Sequence, residues 1–325
     1  MRVDDIIKGV LKGHKRHLAK AITLVESKSL SKREDADKLL NSILPYTGNS
    51  IRLGISGVPG VGKSTFIESF GKFLTSIGKK VAVLAVDPSS KISGGSILGD
   101  KTRMQELAKD HEAFIRPSPS DESLGGVARK TRESMLICEA AGYNIIIVET
   151  VGVGQSEIEV ASMVDCFTLL QLPGAGDELQ GIKKGIMEIS DIILINKAEG
   201  ENMHKAQLAK SQIENALHIL KMRDDNWIVK VLLVSALNNE GIERFWEVLL
   251  HFITHMKNGN FFRRKRKKQS VDWMWKLLDE ELMRIFKSDE KIKEMLVSTE
   301  EEVRAGHINP ASAAKTLLDA FLEKK

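Results

Sequence analysis

Over the first fifty residues the apolar positions recur at helical spacing. Ile6, Ile7, Val10 and Leu11, then Leu18, Ala21, Ile22, Leu24 and Val25, mark two amphipathic helices, because residues three and four apart share one helix face. Ser31 with Glu34 fits a capping box opening a third helix through Ala36, Leu39, Leu40 and Ile43, which Pro45 and Gly48 end. From Ile51 the pattern changes to short apolar runs that alternate with amphipathic stretches. This predicts parallel strands joined by crossover helices. The expected strands cover 51–56, 81–86, 113–116, 144–149, 166–170, 192–196 and 228–234. After about Lys257 the strands stop, and Asn258-Gly259-Asn260 with the basic run 263–268 reads as a boundary. Residues 270–325 return to helix, with Trp273, Trp275, Leu277, Leu278 and Leu282, then Ile292, Met295 and Leu296, then 311–321. There is no internal repeat.

Composition alters this picture little. The chain has 325 residues, 42% hydrophobic and 28% charged, which is ordinary for a globular protein. The net charge of +4 is local: removing the six positives of Arg263–Lys268 leaves −2. The run therefore reads as a solvated linker and not as part of a nucleic-acid surface, and no nucleic-acid partner is expected. Cys138 and Cys166 have neither a CxxC partner nor companion histidines and lie in apolar stretches. They read as buried thiols of a reducing compartment. The acidic, amphipathic N-terminus is not a secretory signal. No run approaches the ~18 apolar residues of a membrane span, so no membrane association and a cytoplasmic location are expected.

The chemistry sits at the carboxyl ends of the expected strands, where open parallel sheets hold ligands. Gly57-Val58-Pro59-Gly60-Val61-Gly62-Lys63-Ser64 fits GxxxxGK[ST], with a strand before it and a helix from Thr65 after it. Its glycines let backbone N–H groups turn around a β-phosphate at a helix N-terminus. Lys63 is expected to reach the β- and γ-phosphates, and the Ser64 hydroxyl to ligate Mg2+. Glu149 ends an apolar run and Gly152 follows it, an ExxG similar to the DxxG element of GTPases. Glu149, Asp87 at the end of the second strand, and Asp100 in a glycine-rich stretch are the candidate carboxylates for the metal. Val153 stands where many signalling GTPases carry a water-orienting glutamine, and Gln155 is the candidate replacement.

Asn196-Lys197-Ala198-Glu199 follows the sixth strand and resembles the NKxD guanine element, with a glutamate in place of the aspartate. Ser235-Ala236-Leu237 after the seventh resembles the SAK/SAL element. P-loop, ExxG, NKxE and SAL in that order predict GTP/GDP as the nucleotide. The longer acid at 199 leaves the strictness of guanine selection open.

Further blocks carry a more specific resemblance: 19–26, Asp87-Pro88-Ser89-Ser90, 94–104, Glu149-Thr150-Val151-Gly152-Val153-Gly154-Gln155-Ser156-Glu157, and 172–185 with Asp177, Lys183 and Lys184. Over nearly its whole length the chain resembles the MeaB/ArgK metallochaperone GTPases that accompany adenosylcobalamin-dependent methylmalonyl-CoA mutase. The resemblance implies an α/β P-loop NTPase of the G-protein, SIMIBI-like kind, with a mostly parallel sheet flanked by helices. Around a GTPase domain at 51–257 it implies an N-terminal helical extension, 1–50, and a C-terminal helical dimerisation segment, 258–325. It further implies a homodimer, an extra switch loop at 174–185, and a role in gating cofactor loading or protecting the mutase. No DxHxxG cobalamin motif is present, so any cobalamin belongs to the partner. Two alternatives stay open: a nickel-type metallocentre-insertion GTPase, for which the eight scattered histidines offer no cluster, and a kinase of a periplasmic amino-acid transport protein.

Overall fold

The computed structural model describes residues 2–27, 29–86, 104–117, 124–150, 156–174, 184–219 and 224–322. Seven strands form one sheet: β1 Ile51–Gly57, β2 Val81–Val86, β3 Ala113–Pro117, β4 Ile145–Thr150, β5 Cys166–Gln171, β6 Ile192–Ile195 and β7 Lys230–Leu233. Their spatial order is β3-β2-β4-β1-β5-β6-β7, and every pairing is parallel. All seven expected strands are present within one or two residues.

The central strands are apolar on both faces because helices cover both. Along β2 and β4, Val81, Val83, Ile145 and Ile147 enter one core, while Ala82, Leu84, Ile146 and Val148 enter the other. The first core is closed by the helices Lys63–Ser76 and Ile242–Asn258. Phe66, Phe70 and Phe245 meet there, with Phe245 edge-on to Phe70 at 4.9 Å. The second core is closed by Leu124–Ala140, Ser156–Ala161 and the N-terminal helices Val3–Leu11, Lys15–Val25 and Arg33–Ile43, which bury Leu18, Ile22, Leu39 and Ile43 completely. Gly54 lets the short helix approach β1: a Cβ there would lie 2.9 Å from Val160 and 3.0 Å from Phe167.

The chain divides into two compact units, Met1–Lys265 and Arg266–Lys325. The three N-terminal helices thus belong to the same unit as the sheet. A helix ends at Asn258, with Asn260 left-handed at φ 59°, whereas the two units divide later, after Lys265. A 28-residue helix, Phe261–Ser288, follows, so the basic run, expected as a solvated linker, lies within a helix. Lys265 does not point freely to solvent. Its ammonium donates to the Asp165 carbonyl at 2.7 Å and lies 3.7 Å from the Asp191 carboxylate.

The second unit contains the helices Glu290–Arg304 and Pro310–Leu322, with Ile292 fully enclosed and Phe286 edge-on to Phe321. Val271, Trp275, Leu278, Leu282 and Ile285 follow alternating steps of four and three, and all are exposed. One local expectation is corrected. The helix at Arg33 has no side-chain cap. Ser31 lies in a 3-10 turn and pairs with Ser29 instead, so the capping box does not form.

Candidate phosphate and base site

The loop from Gly57 to Gly62 joins the carboxyl end of β1 to the helix that begins at Lys63. Gly62 is left-handed at φ 94°, and a Cβ on it would meet Asn196 Nδ2 at 2.7 Å, so glycine is required here for both reasons. Lys63 is 9% exposed. Its ammonium donates to the Gly57 carbonyl at 2.7 Å and to the Val58 carbonyl at 3.3 Å, folding back along the loop. Val58 and Leu237 are exposed, Leu237 at 74%, as are Pro59, Gly60 and Thr65.

The adjacent strand delivers the carboxylate. Because β4 lies beside β1 with Glu149 opposite Ile55, Glu149 reaches the first turn of the helix after the loop. There Ser64 Oγ donates to Glu149 Oε1 at 3.1 Å. Beside them Thr150 Oγ1 and Ser56 Oγ hydrogen bond at 2.8 Å, both buried. A hydroxyl and a carboxylate side by side form a hard-oxygen donor set of the kind Mg2+ takes.

Asn196 is the junction of the site. It follows β6 directly, is buried, donates from Nδ2 to the Val61 carbonyl at 2.8 Å, and accepts at Oδ1 from the Ala236 N–H at 3.1 Å. One side chain therefore ties the phosphate loop to the loop after β7. Lys197 is left-handed at φ 61° and exposed. Glu199 is half-buried, and among the described residues its Oε2 is enclosed without a hydrogen-bond partner. Ser235 is fully buried, and its Oγ accepts from the Asn238 N–H at 3.1 Å.

The structure thus gathers Lys63, Ser64, Glu149, Asn196 and Ala236 from four strand ends. Asp87, Asp100, Gly152, Gln155 and most of the 174–185 segment lie outside the described residues. As the first residue of the NKxE element, Asn196 is expected at the base. Its bond to Val61 went unseen, since nothing in an Asn-Lys pair reports contact with a loop 135 residues away. Neither thiol belongs to the site. Cys138 and Cys166 are fully buried, and burial pushes both thiols far above their ordinary range.

A parallel sheet with a phosphate-type loop on its central strand, and a carboxylate from the next strand on that loop's serine, defines a P-loop nucleotide hydrolase fold. Comparison with known proteins narrows this. The family described as methylmalonyl Co-A mutase-associated GTPase MeaB matches residues 18–291, and the chain belongs to that family. It is 48% identical over 313 residues to the GTPase ArgK of Escherichia coli, covering 96% of this chain and 95% of that one. It is 46% identical over 329 residues to the mouse mitochondrial methylmalonic aciduria type A homolog, covering 98% of this chain and 79% of that protein. A crystal structure of a LAO/AO transport system kinase superposes with a TM-score of 0.78 at 41% identity, covering 99% of this chain and 97% of that chain. Among the described residues no helix is long and apolar enough to cross a membrane.

Proposed function

We propose that this GTPase binds GTP with Mg2+, hydrolyses it, and uses the cycle to gate adenosylcobalamin loading into methylmalonyl-CoA mutase or a related acyl-CoA mutase, protecting or reactivating that enzyme in the cytosol. The observation that carries the nucleotide chemistry is the hydrogen bond between Ser64 and Glu149, with Asn196 bridging Val61 and Ala236. Phosphate loop, metal carboxylate and base loop are then one connected unit. Membership in a mutase-associated GTPase family supports the partner.

In this reading Lys63 leaves the Gly57 and Val58 carbonyls for the β- and γ-phosphate oxygens, which are stronger, charged acceptors. The N–H groups of 58–65 surround the β-phosphate. Ser64 and Glu149, with Asp87 and Asp100, hold the metal, which supplies charge neutralisation of the phosphate oxygens when bound. The Gly152 N–H would sense the γ-phosphate, and Gln155 would orient the attacking water in place of the glutamine that is absent at position 153. Asn196 and Lys197 flank the base, Glu199 accepts from the guanine ring N–H and amine, and the Ser235–Leu237 backbone meets the guanine carbonyl. The unpartnered Glu199 oxygen fits this role, since a guanine edge supplies the donors it lacks.

With Val153 in the glutamine position, hydrolysis by the isolated protein is slow, and a mutase docked on the loops around 94–103, 152–157 and 174–185 supplies the missing order. If GTP and GDP forms bind the mutase differently, the mutase shifts nucleotide affinity by the same factor. Steady-state hydrolysis measured with and without the cobalamin-dependent mutase of the same organism tests this, with cofactor transfer followed under GTP, GDP and a non-hydrolysable analogue. Stimulated turnover and nucleotide-dependent loading are expected. Unchanged turnover together with loading indifferent to nucleotide would remove the mutase as partner. The exposed heptad-spaced row Val271, Trp275, Leu278, Leu282 and Ile285 supports a homodimer paired through the C-terminal helices, since a second copy would bury it.

A further inference from the structure

The base loop is braced by a contact that the nucleotide chemistry does not require. Ser69 lies on the helix Lys63–Ser76, about a turn and a half beyond Ser64, and is buried. Its hydroxyl donates to Oδ1 of Asn239, an exposed residue of the turn that follows Ser235-Ala236-Leu237. Asn239 is left-handed at φ 60°, a conformation that asparagine tolerates and most side chains do not. The turn is closed on itself by two backbone bonds, Ser235 N–H to the Glu240 carbonyl and Glu240 N–H to the Ser235 carbonyl, each 3.0 Å. The Asn238 N–H adds a bond to Ser235 Oγ. Gly241, left-handed at φ 74°, completes it, and a Cβ there would strike the Leu233 carbonyl at 2.5 Å.

This turn is hydrogen-bonded within itself and is fastened at two points. Asn196 holds its Ala236 N–H, and Ser69 holds its far side. The second fastening originates on the helix whose first residues carry Lys63 and Ser64. We infer that Ser69 and Asn239 are positioning residues that set the Ser235–Leu237 backbone for guanine before nucleotide arrives, and that they tie this loop to the helix carrying the phosphate-binding lysine. The inference rests on the proposed guanine site. A preorganised loop saves the ordering entropy that binding would otherwise meet, so losing the brace weakens base recognition while the phosphate loop stays intact.

The test compares GDP, ADP and inorganic pyrophosphate by isothermal titration on the full-length protein and three variants: Ser69→Ala, Asn239→Gly, and both together. Asn239→Gly keeps the left-handed conformation accessible while removing the side chain, and Ser69→Ala removes the same bond without touching the turn's backbone. Each single variant is expected to weaken GDP binding about fivefold, the worth of one hydrogen bond. The double variant should lose no more than either alone, as members of one contact do. Pyrophosphate affinity should stay within about twofold of the wild type, which a general loss of fold would not allow. Wild-type GDP affinity in the single variants, or equal losses for GDP and pyrophosphate, overturns the brace. A wild type that does not distinguish GDP from ADP fails differently, because it removes the guanine site itself.

Discussion

Phe70 and Trp275 are both large aromatic residues on helices. The first is wholly enclosed between Phe66, Phe245 and Trp246, whereas the second is more than half exposed. The contrast extends to their units. Met1–Lys265 places helices on both faces of a parallel sheet and encloses large cores between them, with its exposed apolar residues scattered singly. Arg266–Lys325 encloses Ile292 and a few alanine and leucine contacts, and leaves a continuous apolar row outside. The same kind of amphipathic helix therefore contributes to a core in one unit and to a surface in the other. What differs is the presence of a sheet to receive it.

Truncating the two aromatics should reveal that difference most strongly. Phe70→Ala removes a packed ring from an enclosed site and is expected to lower unfolding stability by about 3–5 kcal/mol in urea denaturation. A loss under ~1 kcal/mol would mean that the first unit does not depend on this core. Next comes the phosphate site. Lys63→Ala removes the only cation that the described loop brings against its own carbonyls, and GTP affinity should fall at least about a hundredfold by titration. Wild-type turnover in that variant would sink the P-loop role. Glu199→Ala should weaken GTP by about 2 kcal/mol and leave ATP nearly unchanged. Equal wild-type affinity for the two nucleotides would overturn the base assignment.

The smallest expected effect belongs to the second unit. Trp275→Ala should change the stability of a single chain by no more than ~0.5 kcal/mol, while shifting sedimentation from dimer toward monomer. A chain cut after Lys265, which keeps the lysine's bonds to Asp165 and Asp191, should sediment as a monomer and bind GDP as the full chain does. A dimer in that shortened chain would place the interface in the first unit and undo the comparison.

The strands were legible because a buried parallel strand is a run of apolar residues with sharp ends, and the phosphate loop because its glycines and lysine stand at fixed spacing. The reach of Asn196 to Val61 and of Ser69 to Asn239 was not legible. Each joins residues brought together only by the strand order, and polar residues of these types occur in many loops for local reasons. The capping box failed for a related cause. Ser31 had a nearer partner in Ser29, and the 3-10 turn moved the helix start past it. The basic run read as a linker because charge alone does not report helix continuity, and a long solvated helix can carry six cations in sequence.

The sheet order also governs how the protein is made. β1, which ends in the phosphate loop, has as its two neighbours β4 and β5, whose registers begin about 95 to 115 residues later in the chain. At a synthesis rate of about 5–20 residues per second, β1 leaves the ribosome roughly 5–20 s before its first partner. During that interval β1 has two open edges, which the helices already made cannot pair as strands would. A ribosome stalled after β1 has emerged and before β4 has should therefore hold a nascent chain that binds holding chaperones and no nucleotide, and release from both conditions should come together once β4 and β5 have emerged.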